Sequence, residues 1–398
     1  MTARAAAAGA APAFPVSLEQ LLADEATRRR EFPVVAERVY LAHASVCPLP
    51  ACVVRALTAY LELVGRGGQF EHLHAAAESG ARQIAADLLG ATADEIAFVP
   101  STSAGLSLVA GGLSWRAGDN VIVAEGDFPS NVYPWLDLQR HGVTLRSIPR
   151  RPDGVITLGD VVALTDERTR LVSLSSVHFV TGTRLDVDAI GAHLRARGVL
   201  FCVDAIQSFG ALPLSTRNVD FLTADAHKWM LGPQGIGILF VRRSLFESLH
   251  PPWLGWKSVS ASKDFSRLEL QFPDSARRYE PGSLNALGLT GIHAALSMLR
   301  DIGVDAIGKR LLDLRAFLAP RLAAKGYTVE GVATPADCSG ITSFRAQSED
   351  DTMNIYRRLD QRGIVVSLRQ NPFGNNCVRV APHFYTTEAD LTALLDNV

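Results

Sequence analysis

Residues 203–208 read VDAIQS, and residues 224–241 read ADAHKWMLGPQGIGILFV. In the first stretch, Asp204 ends an apolar run that begins at residue 199. The second stretch places Lys228 in a short polar turn between two further apolar runs. Short apolar runs bounded by turn residues predict buried β-strands. The two stretches therefore predict an aspartate at the end of one strand and a lysine in the loop after the next strand.

The same alternation extends from about residue 80 to residue 245. Strands are predicted at residues 96–99, 121–124, 171–174, 199–203, 221–224 and 236–241. Helices are predicted between them at 81–89 and 188–197, and each is followed by a glycine that can end a helix. Fully apolar strands separated by helices indicate a mostly parallel sheet of about seven strands, covered by helices on both faces.

The C-terminal third has a different pattern, which predicts a smaller α+β domain. Residues 287–322 are largely helical in pattern, with possible breaks at Gly303 and Pro320. Strands are predicted at 341–344, 364–367 and 378–380, and a closing helix begins near Thr387. The predicted organisation is a disordered tail (1–18), an N-terminal segment that packs on the small domain (19–60), a large domain (61–298) and a small domain (299–398).

The bulk composition favours an enzyme that acts on small molecules. The 398 residues contain 39 Lys plus Arg and 41 Asp plus Glu, and the net charge of −2 argues against nucleic-acid binding. Five scattered cysteines without CxxC spacing indicate neither a disulfide framework nor a zinc site, so no metal is expected. No apolar stretch reaches membrane-spanning length. We expect a cytoplasmic protein whose partners are a small molecule and a second copy of the chain.

Asp204 and Lys228 together suit pyridoxal-phosphate (PLP) chemistry. A carboxylate keeps the pyridine nitrogen of this cofactor protonated, so that the ring accepts electrons from the substrate Cα. A lysine that bonds the cofactor must lose its proton, which positive or apolar surroundings promote. Taken singly, Asp204 could cap a strand and Lys228 could be a surface charge. Their occurrence beside His227 and a turn rich in Gly and Pro favours the catalytic interpretation.

Nearly the whole chain, from about Tyr40 onward, resembles a known family. It resembles the class V aminotransferase group of PLP fold-type I, which includes cysteine desulfurases, isopenicillin-N-epimerase-like proteins and C–S lyases. Each motif alone is weak, whereas seven in the expected order are specific. The motifs are YLAHASVCPLP, FVPSTSAGLSLVA, EGDFPSNVYPW, VDAIQS, ADAHKWMLGPQG, RRYEPGSLNALG and VRVAPHFYTTEAD.

The resemblance implies roles at the cofactor. Lys228 would form the Schiff base and, as the free amine, move the Cα proton. Asp204 would pair with the pyridine nitrogen, and Gln207 would bond the phenolic oxygen. The phosphate would lie at Thr102 and Ser103, with a contribution from His227. The N-terminus of a helix suits an anion on physical grounds as well, although residues 101–103 could equally be a simple helix cap.

Further roles follow from the same resemblance. Phe128 would stack on the cofactor ring, and the alternative is an ordinary core aromatic. Arg379 would bind the substrate α-carboxylate, because its fork matches two oxygens, although a lone strand arginine is more often a surface charge. Ser283 at the cofactor and Asn285 at the substrate would reach the site of the neighbouring subunit. This sharing implies a homodimer.

The chain also departs from the desulfurases. Their nucleophilic cysteine lies on a mobile loop, and here that loop reads SLRQNPFGNN (367–376) without a cysteine. Cys377, at the start of the next strand, would be held rigidly, and Phe179 stands where desulfurases often have Asn. Persulfide formation is therefore disfavoured. Elimination, transamination and epimerisation remain, and the pattern leans towards β-elimination by a C–S lyase acting on a small amino acid or S-substituted cysteine.

Two rival classes are less favoured. A nicotinamide dehydrogenase would need a glycine-rich turn that opens a helix, whereas GPQGIG (232–237) precedes a strand. A protein that keeps the fold but binds cofactor or partner without turnover is disfavoured by the intact Lys228, Asp204, Gln207 and Arg379.

Overall fold

The computed structural model describes residues 14–69, 75–151, 153–266, 268–331 and 334–398. The α-helices are α1 (Leu18–Ala23), α2 (Glu25–Glu31), α3 (Val34–Glu37), α4 (Ala51–Arg66), α5 (Ala75–Leu89), α6 (Thr102–Gly112), α7 (Tyr133–Leu136), α8 (Leu158–Leu164), α9 (Val187–Ala196), α10 (Ala286–Ile302), α11 (Val304–Ala324), α12 (Glu349–Gln361) and α13 (Glu388–Leu395). The strands are β1 (Val39–Tyr40), β2 (Ile96–Val99), β3 (Asn120–Ala124), β4 (Thr144–Ile148), β5 (Thr169–Ser175), β6 (Leu200–Asp204), β7 (Phe221–Asp225), β8 (Gly237–Val241), β9 (Thr328–Val329), β10 (Thr342–Arg345), β11 (Ile364–Val365), β12 (Ser367–Gln370) and β13 (Asn376–Val380).

The large sheet has seven strands in the order β2-β8-β7-β6-β5-β3-β4. Only β8 runs antiparallel to its neighbours, so the other strands point in one direction. Strands β2, β3, β6, β7 and β8 are buried along their whole length, as expected for a sheet covered on both faces. The predicted α/β fold with a mostly parallel sheet is confirmed.

Strand β4 is an element that the apolar pattern did not reveal. It pairs only with β3 and forms one edge of the sheet, where Thr144 is exposed and Arg146 is half-buried. A strand at the edge can carry polar side chains, so a search for continuous apolar runs passes over it.

A second, four-stranded antiparallel sheet in the order β12-β13-β10-β9 forms the C-terminal unit. The single strand predicted at 364–367 is divided at Val366. On one side of this residue β11 pairs with β1, and on the other side β12 pairs with β13. The closing helix α13 begins as predicted, with Thr387 and Asp390 in a reciprocal capping box.

The N-terminal segment contacts the C-terminal unit at several points. Strand β1 pairs in parallel with β11, and Arg28 donates to a carboxylate oxygen of Asp390 at 2.9 Å. Further along, the main chain of residues 41–43 bonds to Ala381. This segment therefore lies against the unit formed by the last residues of the chain.

The break predicted in the long helical region is confirmed at Gly303 and wrong at Pro320. Gly303 separates α10 from α11 with a φ of 91°, which a glycine adopts without strain. Pro320 lies inside α11. Proline removes one helical hydrogen bond, but the burial of Leu318 and Leu322 on either side keeps the helix continuous.

The predicted tail at 1–18 is too long at its C-terminal end. Residues 1–13 lie outside the described residues, whereas Ser17 caps α1 and Leu18 belongs to it. The predicted domain boundaries at 60/61 and 298/299 fall inside α4 and α10, and they stay predictions. In the part of the chain that the structure describes, no helix is both long and apolar enough for a membrane span.

Alternate residues of the large sheet face two apolar layers. In β2, Ile96 and Phe98 join a large cluster that continues into the C-terminal unit, whereas Ala97 and Val99 join a smaller cluster on the opposite face. This alternation follows from the period of two in a strand. Because both faces of the sheet are covered by apolar layers, a binding site can form only at the loops that follow its strands.

Candidate active site

The carboxyl ends of β3, β5, β6 and β7 and the N-terminus of α6 surround a cavity of about 270 Å³. Ligands of open α/β sheets bind at this edge, outside the carboxyl ends of the strands. Eight of the ten predicted site residues line the cavity. They are Thr102, Ser103, Phe128, Asp204, Gln207, His227, Lys228 and Arg379.

Lys228 follows strand β7 and is buried in the cavity wall. Its Nζ lies 5.6 Å from the centre of the Phe128 ring. Burial and the charge of Arg379 together lower the pKa of Lys228 to about 8, and the carboxylate of Asp204 opposes part of this shift. The lowered pKa increases the fraction of the neutral, nucleophilic amine near neutral pH.

The loop that carries Lys228 is held from several sides. Its Trp229 carbonyl accepts a 3.0 Å bond from His383 Nε2, and the His227 carbonyl accepts a 2.7 Å bond from the Cys47 amide. Leu231 adopts a φ of 58°, which is uncommon for a side-chain-bearing residue and turns the chain back towards β8. These constraints fix where the lysine leaves the backbone.

Asp204 ends β6 and is buried beneath the cavity. One of its oxygens accepts a 3.0 Å bond from the Ile206 amide. Burial and the nearby carboxylate of Asp127 together raise the pKa of Asp204 to about 7. The positive side chains near Asp204 therefore do not offset the cost of burying its negative charge.

Asp127 is a site residue that the sequence pattern did not single out. Its carboxylate accepts bonds from Ser175 Oγ, the Phe128 amide and Asn131 Nδ2, at 2.7, 2.7 and 3.0 Å. It thereby fixes the backbone of Phe128 beside Asp204. The motif EGDFPSN contained the signal, since an acid directly before the predicted stacking ring is placed to organise that loop.

Gln207 has a fixed amide orientation. Its Oε1 accepts a 2.8 Å bond from Trp229 Nε1, and its Nε2 donates a 3.1 Å bond to the Ala44 carbonyl. An amide nitrogen carries two hydrogens, so one donor of Gln207 is left for a ligand in the cavity.

The N-terminus of α6 presents unpaired donors to the cavity. Ser101 caps the helix by accepting from the Ala104 amide at 3.2 Å, and the side-chain oxygen of the buried Thr102 has no hydrogen-bond partner. Ser103 Oγ is shared with Ser130 Oγ at 2.7 Å. Gly105 lets the helix lie on β7, because a Cβ there would approach Thr223 Oγ1 to 2.4 Å. A helix N-terminus with an unpaired hydroxyl suits an anion, and the phosphate site at Thr102 and Ser103 stays a prediction.

Two aromatic rings form part of the cavity wall. Phe128 is 42% exposed, and its ring meets that of Phe179 edge to face with centroids 5.4 Å apart. This exposure differs from that of an ordinary core aromatic, so the ring is available for stacking on a bound planar group.

Arg379 is 1% exposed and has only neutral oxygen partners. Its Nη1 donates to the Phe179 carbonyl and its Nη2 to Ser45 Oγ, both at 2.7 Å, whereas its buried Nε has no partner. Burial and the neighbouring Arg369 lower the pKa of Arg379 to about 9. The surface-charge alternative for Arg379 is therefore wrong.

His227 lies beside a carboxylate, and its contribution to a phosphate site stays a prediction. Its Nδ1 is 2.9 Å from Asp225 Oδ1, although the two atoms are not aligned for a hydrogen bond. Asp225 ends β7 and also lines the cavity. The pair adds a polar edge next to Lys228.

The last two predicted residues lie outside this cavity. Ser283 is exposed, and Asn285 caps α10 by accepting from the Gly288 amide at 2.9 Å while donating to the Gly235 carbonyl. One chain alone does not bring them to Lys228. Their roles therefore depend on a second subunit and stay predictions.

None of the five cysteines, all of which are described, lines the cavity. Cys377 is fully buried in β13, with its sulfur 3.6 Å from Glu330 Oε1. Burial and this acid raise the pKa of Cys377 to about 12. A thiol in this setting is neither exposed nor ionised at neutral pH.

The residues fit the predicted cofactor at two buried groups. The hydroxyl of Thr102 lacks a partner that a phosphate oxygen would provide. The carboxylate of Asp204 is short of positive charge, which a protonated ring nitrogen would supply. Thr102 and Asp204 both line the cavity that holds Lys228.

A wide groove of about 860 Å³ adjoins the cavity and shares Ser103 and Ser130 with it. Its wall includes Tyr133 and Trp253, which are 66% and 44% exposed. Large exposed aromatic side chains of this kind are typical of surfaces that another molecule covers.

Comparison with known proteins gives consistent matches over most of the chain. The family model described as Aminotransferase class-V matches residues 39–394. A probable cysteine desulfurase of Methanothermobacter thermautotrophicus is 32% identical over 388 residues, covering 92% of this chain and 95% of the relative. A cysteine desulfurase of Salmonella dublin is 30% identical over 388 residues, with 92% of each protein covered.

Solved structures agree with this assignment. The apo structure of a cysteine desulfurase from Thermococcus onnurineus NA1 superposes with a TM-score of 0.84 at 25% identity, covering 92% of this chain and 95% of that one. A C-DES variant with glycine covalently linked to its PLP cofactor shares the fold, with a TM-score of 0.83, 23% identity and coverage of 92% and 98%. The chain therefore belongs to the class V aminotransferase family and is a PLP-dependent enzyme.

Proposed function

We propose that the protein removes the Cα proton of a small α-amino acid with Lys228 and completes a β-elimination from a cysteine that carries a substituent on sulfur. The observation that carries this proposal is the convergence of Lys228, Asp204 and Arg379 on one cavity. The relatives described as cysteine desulfurases support cysteine chemistry, because they are named for it.

Each residue has a defined task in this proposal. PLP, when bound, supplies an electron sink that acidifies the Cα hydrogen of the amino acid. Lys228 accepts that proton as the free amine, and a pKa of about 8 suits a proton acceptor near neutral pH. Asp204 holds a positive charge at the buried end of the cavity, and Gln207 donates its remaining amide hydrogen.

Arg379 orients the substrate. Its buried guanidinium has an unpaired Nε, and a carboxylate bonded to Nε and one Nη would form the two-point contact that arginine favours. A substrate held at its carboxylate presents its Cα hydrogen in one direction only. The bond that breaks is selected by this orientation.

The cysteine geometry favours elimination over sulfur transfer to the protein. Transfer needs an exposed thiolate within reach of the substrate sulfur, whereas Cys377 is buried, with a pKa raised to about 12. Elimination needs no protein thiol: the Cα–H and Cβ–S bonds break, a thiol leaves, and the enamine product reacts with water to give pyruvate and ammonia.

Transamination is the second candidate, and epimerisation is disfavoured. Epimerisation needs a proton donor on the face opposite the lysine, and Phe128, the predicted stacking residue, has no proton to give. Transamination would use Lys228 as the same proton carrier, and PLP, when bound, would take up the amino group as the keto acid is released.

Product analysis tests the proposal. Holoenzyme is incubated with S-methylcysteine and other S-substituted cysteines, and pyruvate, ammonia, keto acid and pyridoxamine phosphate are measured. Equimolar pyruvate and ammonia are expected, with a loss of at least about a thousandfold in Lys228→Ala. Stoichiometric keto acid and pyridoxamine phosphate would identify a transaminase instead. Borohydride fixation of the cofactor to the peptide that contains Lys228 checks the site independently.

Arg379→Lys is the matched variant for substrate orientation. The substitution keeps a positive charge but removes the planar guanidinium that can bind both oxygens of a carboxylate. KM is therefore expected to rise about tenfold or more, while the visible spectrum stays that of wild type. An unchanged KM would remove the α-carboxylate role of Arg379.

We further propose a homodimer in which Ser283 and Asn285 of one subunit complete the site of the other. The exposed Ser283 and the aromatic groove at Tyr133 and Trp253 support it. A mixture of inactive Lys228→Ala and Ser283→Glu chains should regain activity, since one hybrid site then has both wild-type residues. No regain in a proven mixed dimer contradicts shared sites.

A cytoplasmic location is also proposed. All five cysteines are free, which suits a reducing compartment. Cell fractionation with an antibody to the chain tests it, and recovery outside the cytoplasm would contradict it.

A further inference from the structure

Two arginines of the cavity meet at one serine. Arg369 Nη2 and Arg379 Nη2 each donate a 2.7 Å hydrogen bond to Ser45 Oγ. The two nitrogens are therefore no more than twice that distance apart. Both acceptor sites of the hydroxyl are used, so its own hydrogen points to Ser367 Oγ, 2.8 Å away. Ser45 thus fixes two like charges beside each other.

No carboxylate of the described residues forms a salt bridge with either arginine. Apart from Ser45, the hydrogen-bond acceptors of the two arginines among the described residues are main-chain carbonyls, that of Phe179 for Arg379 and that of Leu368 for Arg369. Burial lowers the pKa of both guanidinium groups. Two partly desolvated cations with neutral partners only are a binding site for negative charge.

The α-carboxylate of an amino acid accounts for one of these charges. The phosphate of the cofactor is expected at the N-terminus of α6, at Thr102, and the carboxylate of Asp204 is expected against the ring. After these assignments, one positive charge at Arg369 has no counterpart in a simple neutral amino acid.

We propose that the substrate is an α-amino acid whose side chain carries a second negatively charged group, and that Arg369 selects it while Arg379 binds the α-carboxylate. This inference rests on the proposed function only for the amino-acid substrate, and it is independent of the reaction that follows. It makes Arg369 the specificity-determining residue of the site.

The short distance between the two guanidinium groups limits how far apart the two anionic groups of the ligand can be. Both reach the same hydroxyl, so the two anionic groups lie a few bonds apart. Succinate and glutarate are suitable unreactive probes, and butyrate and valerate are their singly charged counterparts of equal chain length. These probes bind without turnover, so a wrong reaction assignment does not affect the result.

Calorimetric titration of the holoenzyme and of the cofactor-free protein tests the proposal. Wild type is expected to bind one of the dicarboxylates at least tenfold more tightly than its monocarboxylate counterpart. Arg369→Gln should reduce that ratio to within twofold, whereas Arg379→Gln should weaken both classes. Arg357→Gln, which removes an exposed arginine of α12 that contacts Asn354, is the matched control and should leave the ratio unchanged.

Two outcomes overturn the proposal. Equal affinity of wild type for dicarboxylates and monocarboxylates excludes a second anion site. Equal weakening of both classes in Arg369→Gln shows instead that both arginines bind one carboxylate. Absence of elimination with a retained dicarboxylate preference would refute the proposed reaction and leave the substrate class intact.

Discussion

Trp229 Nε1 donates a 2.8 Å hydrogen bond to Gln207 Oε1, which fixes the amide of Gln207 with its nitrogen towards Ala44 and the cavity. The residue directly after the lysine therefore determines that Gln207 offers a donor, and not an acceptor, to a bound ligand. A donor stabilises the negative phenolic oxygen of the cofactor.

The first prediction concerns this orientation. Trp229→Phe keeps an aromatic ring and removes the donor, so the Gln207 amide is free to rotate. The pKa read from the visible absorption band of the holoenzyme should rise by about one unit, because a hydrogen bond to the charged oxygen is weakened. Trp115→Phe, which loses a similar bond to the Ala110 carbonyl outside the cavity, is the control. Equal pKa values in both variants would contradict the role of Trp229.

Asp204→Asn tests the buried carboxylate in two ways. Activity should fall at least about a hundredfold, since the amide cannot hold a positive charge at the ring nitrogen.

The cofactor-free variant should nevertheless melt about 2–5 °C higher than wild type at pH 8. The folded pKa of Asp204 is raised to about 7, so its stabilising contribution is present at low pH and is lost as the pH rises through 7. The gain in melting temperature should therefore disappear near pH 4, which scans at both pH values can check.

Thr102→Val tests the anion site at the start of α6. The substitution preserves shape and removes the hydroxyl without a partner, so the cofactor-free fold should not lose stability. Affinity for PLP should fall about tenfold or more, whereas affinity for pyridoxal, which has no phosphate, should change less than twofold. Fluorescence titrations with both ligands measure this. A parallel loss for pyridoxal would assign Thr102 to another part of the cofactor.

Reconstitution should depend on pH through Lys228. Only the neutral amine attacks the aldehyde, so the rate at which cofactor-free protein gains its visible absorption should rise about tenfold per pH unit below 8 and level off above it. An ordinary lysine would continue this rise to about pH 10. Arg379→Gln removes one positive neighbour and should move the midpoint upward. A midpoint that is independent of this residue would contradict the electrostatic coupling.

The sheet and part of the site could be predicted from short-range signals, whereas the roles of Gln207, Phe128 and Arg379 followed from the family resemblance. Apolar runs locate buried strands, and polar residues that directly follow such runs, such as Asp204 and Lys228, must lie at the same edge of a parallel sheet. Thr102 is predictable for the same reason, since it opens a helix after a strand.

Arg369 and Ser45 could not be identified in this way. Arg369 enters the cavity because β12 pairs with β13 in a register that sets Ser367 opposite Arg379, and register depends on the length and shape of the hairpin loop. Ser45 belongs to a segment without regular structure, and its position is determined by contacts with residues more than 300 positions away. Sequence spacing contains no direct information on either relationship.

The pairing of residues 41–47 has a consequence for biosynthesis. This segment supplies one wall of the cavity, yet His43 bonds to Ala381, 338 residues later in the chain. It leaves the ribosome more than 300 residues before its partners Arg379, in β13, and Ala381, directly after β13. Contacts so distant in sequence close late in folding. We therefore expect a nascent chain that stops before β13 to lack cofactor affinity, however complete its large sheet is.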